Sequence, residues 1–274
     1  MLSLGYFFKF NLVEVKDLKN KKLSNKSINI ININYSFNKT FDKISNKSEK
    51  YIKNSFKIAL DILKNKNAAG LINGPISKKH LLRNKYFGIT EYLSNKVGLK
   101  NNGVMLIYNN HLSVSPLTTH IPLKMVSKNI SKTKIINNAL EINRFYKNYL
   151  KKKPRIAVLG LNPHCESIDQ YNEDSKIVLP AINNLKNKKI KIYGPFSADT
   201  FFLKKNILKF DVVIGMYHDQ VLTPIKTLYN FDAINITLGL PFLRISPDHG
   251  PNHSMLGKNI SDPTSLYKSI NFFK

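Results

Sequence analysis

From Arg155 onward, short apolar runs alternate with amphipathic stretches, and this alternation limits the fold more than any other feature of the chain. Arg155–Gly160, Ile190–Tyr193, Asp211–Met216 and Ala233–Leu238 read as strands, and Asp174–Leu185, Ala198–Lys205 and Ser265–Phe273 as helices. Runs this continuously apolar need cover on both faces, so the pattern predicts a mostly parallel sheet between helical layers, an α/β fold. The first half is less regular. Ser27–Tyr35 and Ala68–Ile72 read as strands, and Ile52, Phe56, Ala59, Leu60 and Leu63 fall at helical spacing after Ser48, a helix cap. Asn73-Gly74-Pro75 is a loop that opens a helix over Ser77–Leu82. Val104–Tyr108 and Ser113–Thr118 suit a hairpin turning at Asn109-Asn110, and Ser131 caps a long helix carrying Ile135, Ala139, Ile142, Tyr146 and Tyr149 on one face.

With 274 residues, 42% of them hydrophobic, the chain can bury a substantial core in one large domain or two smaller ones, which excludes global disorder. No apolar run approaches the ~20 residues needed to cross a bilayer. Met1–Phe8 lacks the basic head and small-residue cleavage site of a secretion leader, and the single cysteine, Cys165, fits a reducing compartment. A cytoplasmic protein is expected. The formal charge of +26 would suit a nucleic-acid partner, but only Arg83, Arg144, Arg155 and Arg244 among the 43 basic residues are arginines. Nucleic-acid readers favour arginine's planar fork, and the lysines here are scattered among asparagines and isoleucines. The charge reads as a solvated surface, with no specific nucleic-acid or membrane partner.

His120, His164 and His218 each follow a predicted strand closely. Ligands of open α/β sheets bind beyond the carboxyl ends of the strands, where three imidazoles could hold a divalent metal and leave coordination positions open. Their spacing matches no short metal motif, so by spacing alone three separate loop histidines, each with a local hydrogen bond, are the favoured reading. Lys226, Asn235 and Arg244 suit a polar, anionic ligand. Arg244 is the most telling of these, because arginine is scarce and its neighbours are apolar, whereas a lysine in this chain is by default a surface charge. Asp248-His249-Gly250 forms a tight turn just beyond, and the amides of Gly74-Pro75 and Gly194-Pro195 could face a ligand. No Gly-x-Gly-x-x-Gly, Walker or Gly-x-Ser-x-Gly motif occurs, and Cys165 beside His164 reads as a bystander thiol.

Seven segments in order resemble the 4-hydroxythreonine-4-phosphate dehydrogenase family of pyridoxal phosphate biosynthesis. They are Asn73-Gly74-Pro75-Ile76-Ser77-Lys78, Thr90-Glu91-Tyr92-Leu93, Thr118-Thr119-His120-Ile121-Pro122-Leu123, Gly160-Leu161-Asn162-Pro163-His164, Gly194-Pro195-Phe196-Ser197-Ala198-Asp199-Thr200, Met216-Tyr217-His218-Asp219-Gln220 and the run from Asn235 to Arg244. The resemblance implies a two-lobed α/β/α sandwich of the isocitrate and isopropylmalate dehydrogenase type, built as a homodimer. One lobe would comprise residues 1–88 plus 239–274, truncated at its start, and residues 89–238 would form the central lobe with the metal site and dimer contacts. It further implies a divalent ion (zinc, magnesium or cobalt) on His120, His164 and His218, with one histidine from the neighbouring subunit. Substrate contacts would fall to Thr90, Lys226, Asn235 and Arg244, and NAD or NADP would accept the hydride without a Rossmann fingerprint.

The implied reaction is oxidation of 4-phosphooxy-L-threonine at C3, then decarboxylation to 3-amino-2-oxopropyl phosphate on the way to pyridoxine 5'-phosphate. Lys226, Asp199 and Asp219 are the catalytic candidates. The two aspartates could carry protons or orient the imidazoles, and Asp199, which begins a helix, could equally be a cap. A related four-carbon substrate such as erythronate or threonate phosphate, or a non-catalytic role, stays open. Two departures stand out. Ile89 occupies a position where the family usually has histidine, which would forfeit about 1–3 kcal/mol if a substrate group were left unpaired. The family's opening strand and loop of the type Gly-Asp-Pro-x-Gly-Ile-Gly has no counterpart here, so the first strand–loop–helix is expected to be lacking and a sheet edge uncovered.

Overall fold

The structure is a computed structural model that describes residues 9–18, 23–38, 45–82, 86, 88–99, 103–166 and 172–274. The opening residues 1–8, read above for a leader, lie outside the described residues, as does Arg83. The strands are β1 (Phe10–Leu12), β2 (Ile28–Ile30), β3 (Gly70–Ile72), β4 (Val104–Tyr108), β5 (Ser113–Thr118), β6 (Ile156–Leu159), β7 (Ile192–Phe196), β8 (Val212–Tyr217), β9 (Ile234–Leu238) and β10 (Leu243–Pro247). The α-helices are α1 (Glu49–Lys64), α2 (Lys78–Leu82), α3 (Ile89–Lys96), α4 (Val126–Asn129), α5 (Lys132–Tyr149), α6 (Leu179–Asn187), α7 (Ala198–Phe201), α8 (Lys204–Ile207), α9 (His218–Tyr229) and α10 (Thr264–Asn271). No helix among the described residues is long and apolar enough to cross a membrane.

β1 and β2 pair with each other, and the other eight strands form one sheet in the order β3-β10-β9-β4-β5-β8-β6-β7. The expected mostly parallel sheet is mixed. β5, β8, β6 and β7 run parallel, as do β3 and β10, but β10-β9, β9-β4 and β4-β5 are antiparallel. The reversal has a local cause in the β4–β5 hairpin, where the Asn109 side chain accepts from the His111 amide at 2.8 Å. The alternation of strand residues explains the layers. Ile156, Val158, Val212 and Ile214 pack under α5 and α6, while Ala157, Leu159 and Val213 point the other way against Phe201, Ile207, Val221 and Ile225 of α7, α8 and α9. The sheet is thus covered on both faces, as its continuous apolar runs require. A third cluster of Phe56, Leu81, Leu82, Ile89, Tyr92 and Leu93 joins α1, α2 and α3.

Three local expectations need correction. Only Ile28–Ile30 of the Ser27–Tyr35 stretch is a strand. The helix expected over Ala198–Lys205 breaks after Phe201 into α7 and α8. The Asp174 helix opens with a wide π-turn over Asp174–Val178, because Asp174 turns its buried carboxylate onto the Leu161 and Asn162 amides. The elements β1, α3, α4, α9 and β10 went unread. β10 carries Arg244 and Ser246 into the interior, and α9 contains Pro224.

Candidate active site

β5 and β8 are parallel neighbours with Thr118 opposite Tyr217, and Thr118 Oγ1 donates to the Met216 carbonyl at 2.7 Å. This register brings the next residues together, so the rings of His120 and His218 lie 5.7 Å apart between centroids. His218 begins α9, and its Nδ1 meets Asp219 Oδ1 at 2.6 Å, which fixes the ring and leaves Nε2 for a ligand. Both imidazoles line a cavity of about 310 Å³ beyond the strand ends. The same cavity gathers Thr90, Lys226, Asn235 and Arg244, the four residues expected to hold substrate.

Arg244 is the most constrained of these. It is only 3% exposed, donates from Nε to Asn73 Oδ1 at 2.8 Å and from Nη1 to Thr237 Oγ1 at 3.0 Å. The Thr237 hydroxyl in turn meets Thr90 Oγ1 at 3.2 Å. Burial draws the guanidinium down to about 10, still cationic at neutral pH, and among the described residues no carboxylate forms an ion pair with it. A buried cation with neutral partners alone is costly, and an anionic ligand would supply the missing charge. Beside it, the Asn235 side-chain oxygen is buried without a hydrogen-bond partner, an acceptor waiting for an N–H or O–H.

Lys226, on α9, forms an ion pair with Asp248 and also donates to the Asp248 carbonyl at 2.8 Å. Burial raises the Asp248 carboxyl above its ordinary value, against the opposing charge of Lys226. The lining also includes the apolar side chains of Ile76, Ile89, Met105, Ile107 and Leu222. Ile89 therefore faces the ligand space with no hydrogen-bonding group.

Three of the expected site residues lie outside the lining of this cavity. His164 lies on the turn Pro163–Cys165 after β6, with φ of 58°, and is not among the lining residues. Asp199 accepts from Ser197 Oγ at 2.6 Å and from the Thr200 amide at 2.8 Å. The Ser197 hydroxyl, more than the nearby His164 charge, holds its carboxyl below the usual range. Asp199 behaves as a local cap on the His164 side. Asp219 also lies outside the lining, 78% exposed, and touches the site only through the His218 ring. Among the described residues, no group of three or more metal-ligating side chains converges within the chain. His120 and His218 are two imidazoles of the kind a divalent ion takes, with one ring already oriented by a carboxylate, so they fit part of such a site.

The sequence reading missed Asn73, Thr237 and Asp248 as site residues. Asn73 and Asp248 each stand one residue beyond a strand, the same signal that singled out the histidines. Thr237 sits inside a strand and carried no such signal.

A family model described as pyridoxal phosphate biosynthetic protein PdxA matches residues 3–273. A protein of Sulfurihydrogenibium sp. named 4-hydroxythreonine-4-phosphate dehydrogenase is 40% identical over 265 residues, covering 95% of this chain and 80% of its own length. Against other curated relatives of the same name the chain spans as little as 56% of their length. The crystal structure of 4-hydroxythreonine-4-phosphate dehydrogenase from Klebsiella pneumoniae superposes with a TM-score of 0.81 at 27% identity, covering 97% of this chain and 81% of that one. Isocitrate dehydrogenase from Methylococcus capsulatus shares the fold alone, at a TM-score of 0.50 and 10% identity over 79% of this chain and 69% of that one. The two-lobed dehydrogenase class expected from the motifs is the class found, and with a match running almost end to end, the chain belongs to the pyridoxal phosphate biosynthetic protein PdxA family of dehydrogenases.

Proposed function

We propose that the protein is an NAD- or NADP-dependent dehydrogenase that oxidises 4-phosphooxy-L-threonine at C3. The resulting β-keto acid then loses carbon dioxide to give 3-amino-2-oxopropyl phosphate, for pyridoxine 5'-phosphate synthesis in the cytoplasm. The observation that carries this reading is the buried Arg244 guanidinium, held by neutral partners alone and sharing a cavity with Lys226 and a pair of imidazoles. Arg244 and Lys226 would hold the anionic ends of the substrate, and the free Asn235 oxygen would accept from its hydroxyl or ammonium. Thr90 would take its place through the Thr237 hydroxyl.

In this reading a homodimer completes the site, with a divalent ion held by His120, His218 and the partner subunit's His164. When bound, such an ion supplies the Lewis acidity that makes a secondary hydroxyl easier to deprotonate. Asp219 would keep the His218 tautomer suited to ligation. The two lobes, residues 1–88 plus 239–274 and residues 89–238, would meet at the cavity, whose lining takes Asn73 and Asp248 from one and His120, Lys226 and Asn235 from the other.

Nicotinamide reduction, followed by absorbance with a panel of phosphorylated hydroxy acids and either NAD or NADP, tests the reading. Turnover is expected with 4-phosphooxy-L-threonine, and absence of reduction with every member of the panel would overturn it. Ile89 favours a second reading, oxidation of erythronate or threonate phosphate, because it presents an apolar wall where the substrate would otherwise find a partner. Preference for those acids within the same panel would select it.

A further inference from the structure

We propose that Asp248 is a positioning residue, which holds Lys226 as a fixed donor to the anionic ligand. The inference rests on the cavity being the substrate site, as proposed above. Lys226 has three N–H bonds, and the Asp248 carboxylate and the Asp248 carbonyl each take one, the latter at 2.8 Å. The Phe231 ring lies under the ammonium at 4.9 Å from its centroid, so a cation–π contact limits its swing on a further side. One N–H then remains for the cavity that Lys226 and Asp248 both line.

Asp248 is itself anchored. Its amide donates to Ser265 Oγ at 2.9 Å, and that hydroxyl donates to the Ala233 carbonyl at 2.5 Å. Ser265 is buried on α10, and Ser269 Oγ bonds its carbonyl at 2.8 Å. A lysine left alone would sample many rotamers at the mouth of the cavity. Tied to a nearly buried carboxylate whose backbone is pinned by α10, it keeps its charge at one place in the cavity that Arg244 also lines.

The test is a double-substitution cycle using Asp248→Asn and Lys226→Met in the full chain, read by the dissociation constant of inorganic phosphate and by KM and kcat for 4-phosphooxy-L-threonine. Asp248→Asn is expected to weaken phosphate and raise KM by about ten-fold in the wild-type background. In the Lys226→Met background the same change is expected to have almost no further effect, because its route to the ligand has gone. Equal losses in both backgrounds would overturn the inference, as would unchanged phosphate affinity in Asp248→Asn. If Asp248→Asn fails to fold, Asp248→Glu takes its place in the cycle. It keeps the charge one methylene further out and is expected to cost about three-fold, again only when Lys226 is present. Wild-type protein that binds no phosphate would remove the anion seat and this inference with it. Phosphate binding without any turnover would strike only the dehydrogenase reading.

Discussion

Arg244 on β10 donates its Nε–H to Asn73 Oδ1 at 2.8 Å, so a charged side chain from one strand ties down the loop that leaves the parallel strand beside it. The bond sets the plane of the guanidinium, Thr237 takes a second N–H, and the remaining donors are left to a ligand. Lysine cannot reproduce this, since it offers a point charge in place of a fork. Arg244→Lys is therefore expected to lower kcat/KM by ten- to hundred-fold, about 1.5–3 kcal/mol, with the circular dichroism unchanged. Steady-state kinetics would check it, and wild-type efficiency would remove Arg244 from substrate binding.

An anion that neutralises a buried guanidinium should stabilise the fold. At a phosphate concentration about 100 times its dissociation constant, the gain is ~2.7 kcal/mol, visible as a rise in Tm by calorimetry. Arg244→Met is expected to lose most of that rise while keeping the apolar volume.

Removing divalent ions with a chelator is expected to abolish turnover, and adding zinc, magnesium or cobalt to restore it. His120→Ala and His218→Ala should each lower the metal bound per protomer, measured by elemental analysis. Because His164 stands outside the cavity of its own chain, a His164→Ala protomer mixed with a His218→Ala protomer is expected to regain about a quarter of wild-type activity through heterodimers with one intact site. No recovery on mixing would place all three histidines within one chain or remove one from the site.

Asp211 immediately precedes β8, and its carboxylate accepts from Lys152 Nζ at 2.6 Å and from the Arg155 amide at 2.7 Å. Burial alone would raise its pKa, but the Arg155 amide and the Lys152 ammonium outweigh burial and bring it below 3.8. A carboxyl lowered in the folded state contributes stability that is present above its unfolded value and lost as pH falls through the folded one. Asp211→Asn is expected to cost about 1–3 kcal/mol at pH 7 by urea denaturation, with the difference from wild type shrinking below pH 4. A constant difference across that range would show that shape, not charge, is what matters there.

Strand–helix alternation identified the α/β class and most of the sheet, because burial on both faces writes itself into consecutive apolar residues such as Ile156–Leu159 and Val212–Tyr217. The seven motifs named the family and carried Thr90, Asn235 and Arg244, and the resemblance Lys226 between two of them, to what proved to be one cavity. Apart from the β4–β5 hairpin, whose Asn109-Asn110 turn marked it, strand direction was not legible, since an apolar run is the same whether its neighbour is parallel or antiparallel. β10 went unread because Arg244, Ser246 and Pro247 interrupt its apolar run, although Arg244 itself had been marked as a ligand-binding candidate.

What the residues decided by themselves is local and chemical: which stretches are buried, which side chains carry charge, and where imidazoles follow strands. Only the tertiary structure decided which of them meet. The β5–β8 register set His120 beside His218, while β6, on the far side of β8, carried His164 elsewhere. Local propensity acts over a few residues, whereas proximity across the sheet depends on the order and direction of strands far apart in the chain.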